Sequence, residues 1–367
     1  MDENSRECGQ VAPLSSISAR ELQALELPPV RFIVDGFLPS GLSILAAPPK
    51  AGKSWFVLDL CLSVAMGRPF LGMKVNRCAC LYIALEDSLN RLKGRESRVL
   101  NGEPAPDNCY FATAAPTLDD GALLDALEAF IAAHRGVGLA VIDTFQKIRG
   151  APRGRETLYG GDYREAGALK AFADRHNIAV LLVHHFRKQG DDADVFNMVS
   201  GSSGLTGAAD MMATLSQDKR GAETSTLTVT GRDVPMSETV VAFDKTLHRW
   251  VNRGDVVAYA EEVKRRNYIN GPLRATILKL LEQRPAGWTG SSKALLEAGE
   301  HFTGERLAVT SQELAKKLAD MTELFLEADG IIYEARGNGN GGRRHSFSYR
   351  RAFEELDGDE ESPFLID

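Results

Sequence analysis

Short apolar runs and amphipathic stretches take turns along the first 250 or so residues. Leu42–Ala47, Ala79–Leu85, Leu139–Asp143, Ile178–His184, Met211–Leu215, Thr226–Thr230 and Val240–Phe243 read as strands. Ser54–Met66, Leu123–His134 and Arg164–Asn177 read as helices between the earlier strands. Strand alternating with helix predicts an α/β domain with a mostly parallel central sheet, covered by helices. The last strands follow one another without helices, so that edge of the sheet is expected to turn antiparallel. The pattern changes after the charged segment Glu261–Arg266. Leu273–Gln283, Ser291–Ala298 and Ser311–Glu327 read as three helices, the last opened by Thr310 or Ser311 as N-cap with Glu313 in its first turn. Ile331–Ala335 and Arg344–Tyr349, around a Gly/Asn turn, read as a hairpin. The expected organisation is an arm over 1–30, an α/β domain over 31–252, a linker over 253–267, a small helical module over 268–351 and an acidic tail over 352–367.

Composition and charge narrow the class further. With 367 residues, 44% apolar and 25% charged, the chain is long enough for two domains and is neither disordered nor a disulfide scaffold. The longest apolar candidate, Phe56 to Met66, is short and broken by Asp59, and the N-terminus is polar, so neither a membrane span nor a secretory leader is expected. Five cysteines (Cys8, Cys61, Cys78, Cys80, Cys109) at irregular spacing predict reduced thiols in a cytoplasmic protein. Cys78-Ala-Cys80 lacks a matching pair of ligands. The net charge of −7 resides in the tail, whose residues 352–367 carry seven acids and no base. The remaining body balances 43 bases against 43 acids, so the overall acidity does not exclude nucleic acid.

The sharpest chemical signal is Ala47-Pro48-Pro49-Lys50-Ala51-Gly52-Lys53-Ser54, followed by Trp55. It joins an apolar strand to an amphipathic helix, the context in which a P-loop cradles phosphates with turn and helix-terminal N–H groups. Lys53 would neutralise phosphate oxygens and Ser54 would hold Mg²⁺. Ala47 stands where the pattern has its first glycine. Ala reaches positive φ only at a cost, so the loop is expected to enter with ordinary dihedrals. Asp143, at the end of a buried strand, fits a carboxylate in the shell of that ion. Glu86, at the end of Leu81–Asp87, fits a base that activates water if its strand lies beside the P-loop strand. Asp87 suits helix N-capping. His184-His185 close another strand at the same sheet edge, where one of them is expected to sense a γ-phosphate; a satisfied core histidine is the alternative.

The ordered set of P-loop, Gly67-Arg-Pro-Phe-Leu-Gly72, Leu81–Asp87, Leu139–Thr144, His184-His185 and Ser200-Gly-Ser-Ser-Gly204 resembles RecA-like ATPases of the RepA type. These are ring-forming, helicase-like ATPases of plasmids, phages and related mobile elements, akin to DnaB-like replicative helicases. The resemblance covers about 31–251. It implies ATP and Mg²⁺ bound between subunits of a homo-oligomer, a hexamer in the family, with a cation supplied by the neighbour. Arg232 stands in the strand region where such proteins place that arginine. DnaB-like members have Lys two residues earlier, where this chain has Thr230, so Lys219 or Arg220 could share the role. The family also implies loops that grip single-stranded DNA. Arg149, Arg153 and Arg155 follow the Asp143 strand, and Arg187 and Lys188 open a second loop.

Three helices and a hairpin are the winged-helix order, and the module with Trp288-Thr-Gly290, Ser311–Glu327 and a basic wing resembles the winged-helix domains that end many phage and plasmid primase and helicase proteins. That implies duplex DNA contact through Lys316, Arg343 and Arg344, with protein docking as the alternative. Two functions follow: an ATP-driven motor on single-stranded DNA, or an ATP-controlled DNA-binding regulator or loader without unwinding.

Overall fold

The computed structural model describes residues 16–151, 157–186, 195–199, 203–217, 219, 221–338 and 342–350. The chain divides into two compact units, Met1–Arg253 and Gly254–Asp367.

Among the described residues, the first unit opens with α1 (Ala19–Ala24), which starts at a capping box between Ser18 and Glu21. A small antiparallel pair, β1 (Phe32–Val34) and β2 (Leu38–Pro39), precedes the P-loop strand β3 (Gly41–Ala47) and helix α2 (Lys53–Met66). Then come β4 (Ala79–Ala84), α3 (Leu89–Leu100), β5 (Cys109–Ala112), α4 (Ala122–Ala133) and β6 (Val137–Asp143). They are followed by α5 (Phe145–Ile148), α6 (Leu158–His176), β7 (Ala179–His185) and α7 (Ser203–Ala208). Four strands follow: β8 (Met211–Ser216), β9 (Thr224–Gly231), β10 (Ser237–Asp244) and β11 (Arg249–Asp255), the last of which runs through the boundary at Arg253.

Nine of these strands form one sheet in the order β11-β10-β9-β8-β3-β7-β6-β4-β5. From β8 to β5 every pairing is parallel, and β8–β9 and β9–β10 are antiparallel. The expected α/β class and the antiparallel turn of the far edge are what the structure has. The parallel strands are apolar on both faces because helices cover both. One layer packs α2 and α3 against the sheet through residues such as Phe56, Leu60, Leu92 and Val99. The other packs α4, α5 and α6 through Leu123, Leu127, Phe145, Leu169 and Phe172. All the parallel strands end on one edge, which therefore collects the P-loop, Glu86, Asp143 and His185.

One expectation about that edge needs correcting. The Glu86 strand β4 is not beside the P-loop strand; β7 and β6 lie between them. Glu86 still emerges at the shared edge, because parallel strands align their carboxyl ends whatever their order.

The second unit holds α8 (Val256–Ile269), α9 (Pro272–Gln283), β12 (Trp288–Ser291), α10 (Ser292–Thr303), α11 (Ser311–Asp320), α12 (Thr322–Asp329), β13 (Ile331–Asn338) and β14 (Gly342–Tyr349). The strands form an antiparallel sheet in the order β12-β14-β13. Two sequence expectations differ here. The stretch 253–267 is largely helix rather than linker, because the Asp255 carboxylate caps the N–H groups of Val257 and Ala258. The single helix expected over Ser311–Glu327 is two helices, broken where Met321 leaves helical geometry. The core of this unit gathers Tyr268, Ile277, Leu281, Leu295, Leu318, Phe325 and Phe347. Asp329 clamps its helices: the Arg274 guanidinium donates to both Asp329 oxygens at 2.7–3.0 Å and the Tyr268 hydroxyl donates at 2.6 Å.

Candidate active site at the carboxyl edge of the sheet

Ala47 ends β3 in extended conformation, paired with His185, so the loop leaves the strand with ordinary dihedrals, as Ala at that position requires. The bend is made further on, where Lys50 (φ 67°) and Gly52 (φ 91°) adopt left-handed conformations. Gly52 is needed twice. Its φ suits glycine, and a Cβ there would come within 2.9 Å of the Trp250 ring. Trp250, on β11, is buried and forms the floor under the loop, a role that sequence reading did not find.

The loop opens onto a cleft of about 410 Å³ lined in part by Lys53, Ser54, Glu86, Arg95, Asp143 and His185. Lys53 is 7% exposed. Its ammonium donates to the carbonyl oxygens of Ala47 (3.2 Å) and Pro48 (3.1 Å) and to Nδ1 of His185 (3.1 Å). Burial lowers its pKa, against the pull of the Asp143 and Glu86 carboxylates. An ammonium has no acceptor, so Nδ1 of His185 must be the acceptor and the ring proton must sit on Nε2. That nitrogen faces the Glu86 carboxylate at 3.9 Å. Burial and the neighbouring ammonium both hold the His185 pKa below its ordinary value, which keeps the ring neutral.

On the other side of Lys53, the Ser54 hydroxyl donates to Asp143 Oδ2 at 2.9 Å, and the Tyr82 hydroxyl donates to the same oxygen at 3.0 Å. Burial raises the Asp143 pKa, and these two hydrogen bonds oppose the rise. Burial and Asp143 push the Tyr82 phenol up, so it remains a donor. Side chains alternate along a strand, and the histidine pair shows it. His185 enters the cleft, whereas His184 is buried against Phe145 with its Nδ1 accepting the N–H of His185.

Other sequence-derived residues fall elsewhere. Asp87 is not the cap of α3; the Ser88 hydroxyl is, accepting from the Arg91 N–H. Asp87 instead receives the guanidinium groups of Arg91 and Arg95, and Arg95 lies over the Trp55 ring at 5.4 Å. That arrangement brings an unforeseen arginine into the cleft. No sequence spacing announced it, because α3 carries several exposed charges of similar appearance. Arg149 is not a free loop cation. It pairs with the buried Asp162 and Glu165 of α6 and therefore supports structure. Arg153, Arg155, Arg187, Lys188 and Arg220 lie outside the described residues. Arg232 follows β9 at the opposite edge of the sheet, hydrogen-bonded to Asp210 at 3.2 Å, so it cannot face the cleft of its own chain. Lys316 and Arg343 line a separate cleft of about 650 Å³ in the second unit with Lys293 and Ser311; Arg344 is exposed on β14 nearby in sequence.

A strand–P-loop–helix unit at the carboxyl edge of a mostly parallel sheet, with a serine and an aspartate converging on it, makes this an α/β fold with a P-loop. Residues 10–191 match the family described as AAA domain. No curated protein matches the chain. Among solved structures, one described as an ATPase domain shares 14% identity at a TM-score of 0.47, over 58% of this chain and 84% of that one. A DnaB-like replicative helicase, described with its interactions with primase, shares 15% at a TM-score of 0.47, over 57% of each chain.

Proposed function

We propose that this chain, whose residues 10–191 match the family described as AAA domain, is an ATP-hydrolysing motor which assembles into a ring and acts on single-stranded DNA in the replication of a mobile element. One observation carries the nucleotide half of the reading. A buried lysine, a serine hydroxyl already on an aspartate, and a neutral histidine beside a glutamate meet at the mouth of one phosphate-sized loop.

These residues fit ATP and Mg²⁺. Ser54 and Asp143 would hold the ion, and Lys53 and the loop amides would hold the phosphates. Bound there, the ion would neutralise charge on the phosphate oxygens. Lys53 is presently held by two carbonyls and an imidazole, weaker partners than an anion, so it can turn to phosphate without leaving its burial site. Glu86 is the base that takes a proton from the attacking water. His185 orients it, since Lys53 fixes Nδ1 and so directs the Nε2 proton towards Glu86. His185 is thus the better sensor of the pair. Arg232 acts on a neighbouring subunit's cleft, a role its position at the far sheet edge supports. The DNA half of the reading rests on the RepA-type resemblance and on the sequence expectation that Arg153, Arg155, Arg187 and Lys188 grip phosphates.

ATP turnover with and without single-stranded DNA, and unwinding of a 5′-tailed duplex, test the proposal. Glu86→Gln should bind nucleotide but slow turnover about 10²–10⁴-fold, and Lys53→Ala should lose both binding and turnover. Normal turnover in either variant would remove the site assignment.

The cationic cleft of the second unit favours a second reading, a winged-helix regulator or loader that grips duplex DNA through Lys316, Arg343 and Arg344. It predicts duplex binding and ATPase without strand separation.

A further inference from the structure

Helix α6 is the next described helix after β6 and α5, and its first turns carry two tyrosines four residues apart. Tyr159 and Tyr163 are 52% and 57% exposed. Their rings lie almost parallel, 8° between planes, with centroids 6.2 Å apart. Exposed tyrosines spaced i, i+4 share one helix face, and here they form a short ladder of aromatic faces pointing away from the core. Among the described residues, the C-terminal side of the ladder is open. The next position in the row is Gly167, where a Cβ would meet no atom within 4 Å.

The charge around the ladder is sorted. The acids in the first turns of this helix, Asp162 and Glu165, are buried and taken up by Arg149. Among the described residues nearby in sequence, Lys147 is exposed and Arg164 is half-buried, its guanidinium 3.8 Å from Glu165. An exposed aromatic pair whose neighbouring helix carboxylates are buried offers rings on which unpaired bases stack, with no exposed acid in those turns to repel their phosphates. The ladder lies towards the carboxyl edge of the sheet, since α6 runs back from that edge to the start of β7. It therefore stands at the same end of the unit as the nucleotide cleft.

We infer that Tyr159 and Tyr163 form a stacking platform for the bases of single-stranded nucleic acid. This deepens the DNA reading above and rests on it. The family resemblance implies loop cations that grip phosphates, whereas this pair offers rings that hold bases. A backbone grip is indifferent to whether bases are present. A stacking platform is not.

The test is fluorescence-anisotropy titration of the full chain with a labelled oligothymidylate and with an abasic oligomer of equal length and charge. The wild-type chain should bind the oligothymidylate more tightly. Tyr159→Ala/Tyr163→Ala should weaken oligothymidylate binding about tenfold or more, leave abasic binding nearly unchanged, and leave ATPase without DNA intact. Tyr159→Phe/Tyr163→Phe, which keeps the rings, should bind like wild type. Equal wild-type affinity for both oligomers, or an alanine variant that binds oligothymidylate normally, would overturn the platform while sparing the DNA reading. An alanine variant that fails to self-associate without DNA would overturn it too, making the pair a contact between copies. Binding of neither oligomer by the wild-type chain would remove the DNA reading and the platform together.

Discussion

Lys53 shows how one residue can have every donor hydrogen-bonded and still have no anion in contact with it. Its ammonium is buried, yet its partners are two carbonyl oxygens and a neutral ring nitrogen. The carboxylates that hold up its pKa, Asp143 and Glu86, stand across the cleft rather than in contact. His184, next door, is the opposite case. It is buried against Phe145, and burial holds its imidazole down at about 4. An unfolded histidine titrates near 6.5, so the folded ring binds its proton less readily than the unfolded one. The resulting stability is complete above about pH 6.5 and is lost as pH falls towards 4, on the order of 3 kcal/mol for this residue. His185 is shifted in the same direction and adds to the trend. Urea unfolding should show a lower midpoint at about pH 4.5 than at about pH 7.5, and His184→Gln should flatten that difference. A pH-independent midpoint in the wild-type protein would contradict the burial argument. At this scale the sequence named Lys53, Ser54, Glu86, Asp143 and His185, because each sits at the end of an apolar run or at the start of the helix that follows one. It could not separate His185 from its neighbour until strand alternation was seen in place. It did not suggest Arg95 or Tyr82, whose roles depend on which strands become neighbours.

The P-loop is an element held from below. Trp250 packs against Gly52, and Arg249, the residue before it, donates to the buried Asp59 of α2 at 2.8 Å and to the Ser63 hydroxyl at 3.1 Å. Burial raises the Asp59 pKa and the Arg249 charge opposes it. A late strand is thus pinned to the helix that the P-loop opens, through two consecutive residues. Gly52→Ala should destroy nucleotide binding, since its left-handed φ and the Trp250 contact both disfavour a side chain; calorimetric binding equal to wild type would contradict this. Asp59→Ala leaves Arg249 without its main partner and should cost about 3–5 kcal/mol of stability, read as a reduced denaturation midpoint; an unchanged midpoint would mean the pair is dispensable. Elements with strong periodicity, such as α2 and β6, were legible. Short or polar ones were not. β11 reads Arg-Trp-Val-Asn-Arg-Gly-Asp and looks like a surface loop, and β5 is a four-residue edge strand. α8 was hidden by its charge, and the break at Met321 lies within an unbroken helical pattern.

At the scale of the whole molecule, the decisive fact is that Arg232 and the nucleotide cleft occupy opposite edges of one sheet. Arg232 leans on Asp210, which also accepts from Lys170 and from the Leu42 N–H at the start of the P-loop strand. If it serves catalysis, it does so for another copy. Arg232→Ala alone should lower turnover steeply, as loss of an arginine finger does by about 10³–10⁵-fold, while nucleotide binding persists. Mixing it with Lys53→Ala should restore activity, because some interfaces then pair an intact loop with an intact arginine. A mixture no more active than its parts would confine each site to one chain. Strand order was the feature least visible in sequence. The apolar runs give the number and class of strands but not which lie side by side, and so Glu86 was expected one strand from the P-loop and stands three away.

The proposed activity stands on the bend between Ala47 and Ser54 receiving the phosphates of ATP. Isothermal titration of a non-hydrolysable ATP analogue with Mg²⁺ into the full chain, and into Lys53→Ala, checks this. Saturable heat is expected for the wild-type chain and none for the variant; no heat in the wild type, or the same heat in both, would show that the bend does not hold phosphates.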